Sequence, residues 1–168
     1  SSLLVGEALN ALTFDASGNL YAAGGSTGNL YTLDPATGAA AVSGSFPGGL
    51  TSAGDLAFDG AGVLWGIGDP FNLFATERLV RLDPGGVGAD VGDTGRSSIF
   101  GLAFADDALY GIGGLLFELD RSDGSVIDEV NTGAAFVQGA SVLPVPEPAA
   151  GALLAGGLLL LAGRRRST

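Results

Sequence analysis

Apolar and polar residues alternate with period two along most of this chain, in short segments closed by Gly, Asp or Pro. That alternation is the pattern of half-buried strands, because successive side chains on a strand leave opposite faces. One segment recurs. Leu12-Thr13-Phe14-Asp15 returns as Leu56-Ala57-Phe58-Asp59 and again as Leu102-Ala103-Phe104-Ala105. Behind each copy comes a Leu-aromatic pair: Leu20-Tyr21, Leu64-Trp65 or Leu109-Tyr110. An apolar segment ending in Leu-Asp follows, at Leu33-Asp34, Leu82-Asp83 or Leu119-Asp120, and a small-residue stretch closes the copy at 39–45, 88–93 or 125–130. Each copy therefore predicts four strands. Phe14, Phe58 and Phe104 hold one repeat position and are expected to be buried between neighbouring units. Tyr21, Trp65 and Tyr110 hold another and are assigned to packing.

A four-strand repeat of about 45 residues is the signature of a β-propeller blade. The expected fold is all-β: a β-propeller fragment of three four-stranded blades near 9–50, 51–98 and 99–133, with flanking strands at 1–7 and 136–143. A single apolar C-terminal helix is expected to follow. A β-solenoid or a sandwich is the alternative. The turns agree with strands. Asp15-Ala16-Ser17-Gly18-Asn19 and Asp34-Pro35-Ala36-Thr37-Gly38 each pair a turn-opening aspartate with a glycine able to turn left-handed. Gly113-Gly114 reads as a two-residue hairpin loop needing positive φ. The Leu33–Gly38 form, Leu-Asp-Pro-x-Thr-Gly, resembles turns of the quinoprotein-like and YVTN-repeat propellers, a resemblance that implies fold and not activity. Residues 1–7 read as a last, outer strand and 136–143 as a first, inner one. Since propellers have at least about four blades, the strands that would partner 136–143 are expected upstream of Ser1.

The end of the chain has a different pattern. Val145-Pro146-Glu147-Pro148 precedes the apolar run 149–163, and Arg164, Arg165 and Arg166 stop it. Prolines on both sides of Glu147 keep the backbone extended, open to a processing enzyme. As a helix the run would span about 22 Å, short of the roughly 30 Å hydrocarbon core of a bilayer. Arginine snorkelling narrows that gap, and the basic end suits the cytoplasmic side. A buried helix of a soluble domain is the alternative. The three parts in this order resemble a PEP-CTERM sorting signal, which implies export, an exosortase-type enzyme as partner, passage through the inner membrane, and processing near Pro146–Pro148. Proteins with such signals are often tied to exopolysaccharide or biofilm matrix.

Composition narrows the chemistry. Of 168 residues, 18 are Asp or Glu and 7 are Arg, and the net charge is −11. That sign argues against nucleic acid or an anionic lipid surface as partner. No cysteine or histidine is present, which removes disulfides, thiolate catalysis, the commonest metal ligand and the commonest general base. No catalytic residues, metal ligands or cofactor are therefore predicted. The second copy carries one long loop, 68–77, whose Phe71, Asn72 and Phe74 form a candidate ligand site, since loops on rigid scaffolds carry binding and aromatics suit sugar rings. The alternative is that the two phenylalanines fold back over the sheet edge. The expectation for function is an exported surface or extracellular-matrix protein whose propeller is a binding or structural scaffold. The alternative is an extracellular polysaccharide hydrolase or lyase with its catalytic residues in upstream blades.

Overall fold

The structure is a computed structural model and describes residues 7–71, 75–133 and 139–140. The described residues are all-β, with no α-helix among them. Twelve strands form three four-stranded antiparallel meanders. The first sheet contains β1 (Leu9–Phe14), β2 (Leu20–Gly24), β3 (Asn29–Leu33) and β4 (Ala40–Ser45). A short 3-10 turn at Pro47–Gly49 leads to the second: β5 (Thr51–Phe58), β6 (Leu64–Asp69), β7 (Arg78–Leu82) and β8 (Ala89–Asp93). The third contains β9 (Gly101–Ala105), β10 (Ala108–Ile112), β11 (Leu116–Leu119) and β12 (Val126–Val130). The three sheets do not close into a barrel. The C-terminal helix expected from the sequence lies outside the described residues; of the flanking strand at 1–7 only Glu7 is described, and of 136–143 only 139–140.

The repeated sequence signature becomes a spatial row. Phe14 pairs with Leu20 and Leu20 with Leu33. Phe58, Leu64 and Leu82 form the same row in the second sheet, and Phe104, Leu109 and Leu119 in the third. The turn-opening aspartates hold the ends of these rows. Asp15 Oδ1 accepts the N–H of Ser17 at 2.9 Å and of Asn19 at 2.8 Å, and Asp59 Oδ1 accepts those of Ala61 at 3.0 Å and Val63 at 2.8 Å. Gly18 and Gly62 supply the left-handed residue, with φ of 84° and 83°.

The third sheet solves its first turn differently. Ala105 pairs with Ala108, leaving Asp106 and Asp107 as a two-residue loop with φ of 47° and 70°. Aspartate tolerates that region better than most residues. The expected two-residue turn at Gly113-Gly114 is not found. Ile112 pairs with Leu116 across a three-residue loop, and neither glycine has positive φ. Gly113 is there for space instead, since a Cβ on it would lie 1.9 Å from the Ser98 carbonyl oxygen.

The sheets pack face to face with their first strands side by side, β5 lying between β1 and β9. One core joins the first two sheets through Ala11, Ala23, Leu30, Leu56, Leu64 and Val80, with Phe46 and Leu50 from the connection. A second joins the last two through Trp65, Ile67, Leu79, Ile99, Leu102 and Phe117. Aromatic pairs cross both junctions edge to face, Tyr21 on Phe58 at 5.5 Å and Trp65 on Phe104 at 6.5 Å between ring centroids. Phe58 and Phe104 are half-buried by these contacts. Phe14 departs from expectation: it is 56 % exposed, because no described sheet lies on its side to present the matching aromatic.

At the outer rim the sheets touch backbone to backbone. Ser45 N–H donates to Gly86 O at 3.0 Å and Gly88 N–H to Ser45 O at 2.9 Å. A Cβ on Gly44 would lie 2.4 Å from Asp83 O, and one on Gly92, at the same register, 1.6 Å from Asp123 O. Only glycine admits such an approach.

Two outcomes are expected from this packing. Gly92→Ala is expected to cost roughly 1–3 kcal/mol, as overpacking does, while Gly60→Ala, where a Cβ meets nothing within 4 Å, leaves the urea midpoint unchanged. Phe58→Ala is expected to cost roughly 3 kcal/mol, the low end for a buried phenylalanine. Phe14→Ala is expected to stay within about 0.5 kcal/mol, as exposed sites do. Equal losses at the two phenylalanines would mean that Phe14 is covered.

Candidate functional site

The three first strands bound a cavity at each end. At the end carrying the phenylalanines, Thr13, Phe14, Ala57, Phe58, Ala103 and Phe104 line a space of about 230 Å³. At the other end, Asn10, Ala53, Gly54, Asp55, Phe100 and Gly139 line one of about 370 Å³. The second holds the more unusual chemistry, a buried carboxylate.

A bulge places it. Ser52 pairs with Gly68 and Leu56 with Gly66, so Ala53, Gly54 and Asp55 face the single residue Ile67. Bulges re-aim side chains and recur beside functional sites. Asp55 is 8 % exposed and ties three segments together. Its Oδ1 accepts the N–H of Leu56 at 2.9 Å, and its Oδ2 accepts those of Leu102 at 3.1 Å and Ala140 at 3.2 Å. Burial pushes its carboxyl above the ordinary range, and the three N–H donors pull it part of the way back. Across the neighbouring junction Asn10 Nδ2 donates to Ser52 O at 2.7 Å. Gly54 lets β5 reach β9 here: a Cβ on it would lie 2.7 Å from Phe100 Cα.

A second buried carboxylate fixes the chain between the last two sheets. Glu77 accepts the N–H of Ser98 at 2.9 Å and of Ile99 at 2.7 Å, and so holds Ser98 at a φ of 67°. Thr94 Oγ1 donates to Glu77 O at 2.7 Å. Burial raises the Glu77 carboxyl, the two N–H donors oppose that, and the charge of Asp69 adds to the rise.

The exposed aspartates are employed locally. Asp15, Asp34 and Asp120 are held below the usual carboxylate range by side-chain bonds from Asn19, Thr37 and Ser122 and by turn N–H groups. Asp59 is lowered too: its partial burial opposes this, but Val63 N–H, the Trp65 ring N–H at 3.1 Å and Arg121 outweigh it. Among the described residues no three acids are grouped to hold a metal ion.

Of the candidate loop, Phe71 is 74 % exposed with φ of 57°, its N–H donating to Asp69 Oδ1 at 2.7 Å. Asn72 and Phe74 lie outside the described residues, as do Val145, Pro146, Glu147, Pro148, Arg164, Arg165 and Arg166. Among the described residues no helix is long and apolar enough to cross a membrane. Sequence reasoning passed over Asp55. Its one signal was an acid at the position where the other copies carry Ala11 and Gly101.

The raised carboxyls give a signed pH dependence. Between their ordinary values, near 3.8 for Asp55 and 4.5 for Glu77, and their higher folded values, the native state binds more protons than the unfolded chain. Their contribution is therefore full at the acid end and is lost as pH rises through the folded pKa. Urea unfolding across that window is expected to show a fall that is shallower in Asp55→Asn. Asp55→Ala, which strands the Leu102 and Ala140 donors, is expected to cost roughly 1–3 kcal/mol for each.

No protein-family model and no curated protein sequence matches this chain. Solved structures do resemble it. A crystal structure of a protein of unknown function from Bacteroides caccae matches with a TM-score of 0.56 at 9 % identity, over 86 % of this chain and 53 % of that one. The extracellular domain of a candidate one-component system from B. thetaiotaomicron matches with a TM-score of 0.54 at 14 % identity, over 86 % of this chain and 22 % of that one. At these identities the likeness is one of fold. The chain spans about half of the first structure's length and about a fifth of the second's, and both matches rest on the β architecture described above.

Proposed function

We propose that this chain belongs to an exported bacterial surface or matrix protein in which the three sheets are blades of a β-propeller that serves as a binding or structural scaffold. The observation that carries the propeller reading is the equivalence of the two junctions. The same repeat positions meet in both: phenylalanine against the aromatic of the preceding sheet, and a rim glycine, Gly44 or Gly92, against the carbonyl oxygen three residues after the Leu-Asp aspartate of the following one, at Gly86 or Asp123. First strands side by side, with cavities at both ends, support that reading, since the inner strands of a propeller lie around its axis. Location outside the cell is supported by the order of the three C-terminal parts, a Pro-Glu-Pro motif, an apolar run and arginines. It also accords with one structural neighbour being an extracellular domain. On this reading residues 144–168 are a PEP-CTERM-like signal read by an exosortase-type enzyme, and the scaffold's ligand is an exopolysaccharide or another surface component.

The test is made in a host that carries an exosortase. The mature, surface-released protein is expected to lack the apolar run and the arginines by mass spectrometry. Replacing Pro146-Glu147-Pro148 with alanines is expected to leave membrane insertion intact and to trap the precursor in the inner membrane. Released protein still ending in Arg164–Thr168, or protein retained in the cytoplasm, would overturn the sorting reading.

A further inference from the structure

Asp55 is a buried carboxylate with no basic partner among the described residues. Arg78 pairs with Asp90 at 2.6 Å, Arg96 with Glu129 at 2.6 Å, and Arg121 reaches Asp59 and Asp107 at 3.7 and 3.8 Å. Among the described residues no ion pair reaches Asp55; its partners are three backbone N–H groups. A carboxylate offers about four acceptor sites, so capacity for another donor is left, on a wall of the 370 Å³ cavity. Asn10 lines the same cavity, and committing its Nδ2 to Ser52 O leaves its Oδ1 to accept. Both polar side chains that line this space among the described residues therefore contribute an acceptor, and one of them is charged. A divalent metal is a poor fit, since calcium takes six to eight oxygens and the described residues group no three acids. A compact cation with several N–H donors fits, and a primary ammonium has three. The chain's net charge of −11 favours cations at its surface.

We propose that the cavity lined by Asn10, Ala53, Gly54, Asp55, Phe100 and Gly139 binds a primary ammonium group, with the Asp55 carboxylate as its counter-ion and the Asn10 carboxamide oxygen as a second acceptor. A cavity of this volume holds more than the ammonium alone. The ligand is an amine carried on a small polar body, and two sources share that chemistry, a free alkyl amine and a de-N-acetylated amino sugar. The amino sugar rests on the proposed place of the protein among surface polysaccharides; the ammonium site does not.

The test is an amide NMR titration of the isotope-labelled full chain in micelles, with methylammonium, with the trisaccharide of glucosamine and with its fully N-acetylated form. Saturable shifts of the Leu102 and Ala140 amides are expected with both amines and none with the acetylated sugar. Equal affinity for the two amines assigns the site to the ammonium alone, and tighter binding of the trisaccharide assigns it to an amino sugar. Asp55→Asn is expected to abolish the shifts. Asn10→Ala, with its fold checked by the unchanged amide spectrum away from β1 and β5, is expected to weaken binding about tenfold, the loss of one charge-assisted hydrogen bond. Binding of the acetylated sugar as tightly as the amine would overturn the proposal. So would the absence of saturable shifts with either amine, or unchanged affinity in Asn10→Ala. Ammonium binding by a protein kept inside the cell would leave this site standing and remove the extracellular reading alone.

Discussion

The close approach of neighbouring backbones is the constraint from which the other features follow. At the inner strands Gly54 lets β5 reach β9, and at the rim Gly44 and Gly92 lie against carbonyl oxygens that a Cβ would strike. Sheets this close bury strand ends whose N–H groups have no ladder partner, and an unpaired buried donor costs about as much as a lost hydrogen bond. The chain answers with side chains. Asp55 takes the donors of Leu102 and Ala140, Glu77 takes those of Ser98 and Ile99, and Asn10 spans to Ser52. The buried carboxylates are thus a consequence of the packing before they are anything else, and the ammonium proposal uses acceptor capacity that this role leaves over.

The same logic divides the acids into two populations. Asp15, Asp34 and Asp120, in the turns, stay exposed and accept local hydrogen bonds that lower them. The two inside work between sheets and are raised. Composition reports the sum and hides this division, because one residue type does two opposite jobs. That is why the turn-opening aspartates were legible from sequence, whereas the more unusual acid sat at an alternating position that reads as a strand's solvent face.

Much of the fold was legible because its signals are local. Period-two alternation, Leu-Asp turns and the recurring Phe, Leu-aromatic and Leu-Asp elements become the strands and the Phe-Leu-Leu rows. What failed depends on long-range neighbours. Phe14 has the sequence context of Phe58 but no described sheet against it, and context within a repeat cannot report the occupant of the next place. Gly113 reads as a turn residue because glycine permits positive φ, yet its role is the absence of a Cβ beside Ser98. Asp55 depends on a bulge, which interrupts the alternation used to assign a face.

The distribution of the internal carboxylates has a consequence for cooperativity. Asp55 and Glu77 both belong to the junction of the second and third sheets, while the junction of the first and second is bridged by Asn10, Ser45 and apolar side chains. In a linear array, stability is a sum of unit terms and nearest-neighbour couplings. Here one coupling contains buried carboxylates and, among the described residues, the other does not. Carboxyl titration therefore acts on a single link in the array: as protons leave, the join of the third sheet to the second weakens while that of the second to the first keeps its apolar and amide contacts.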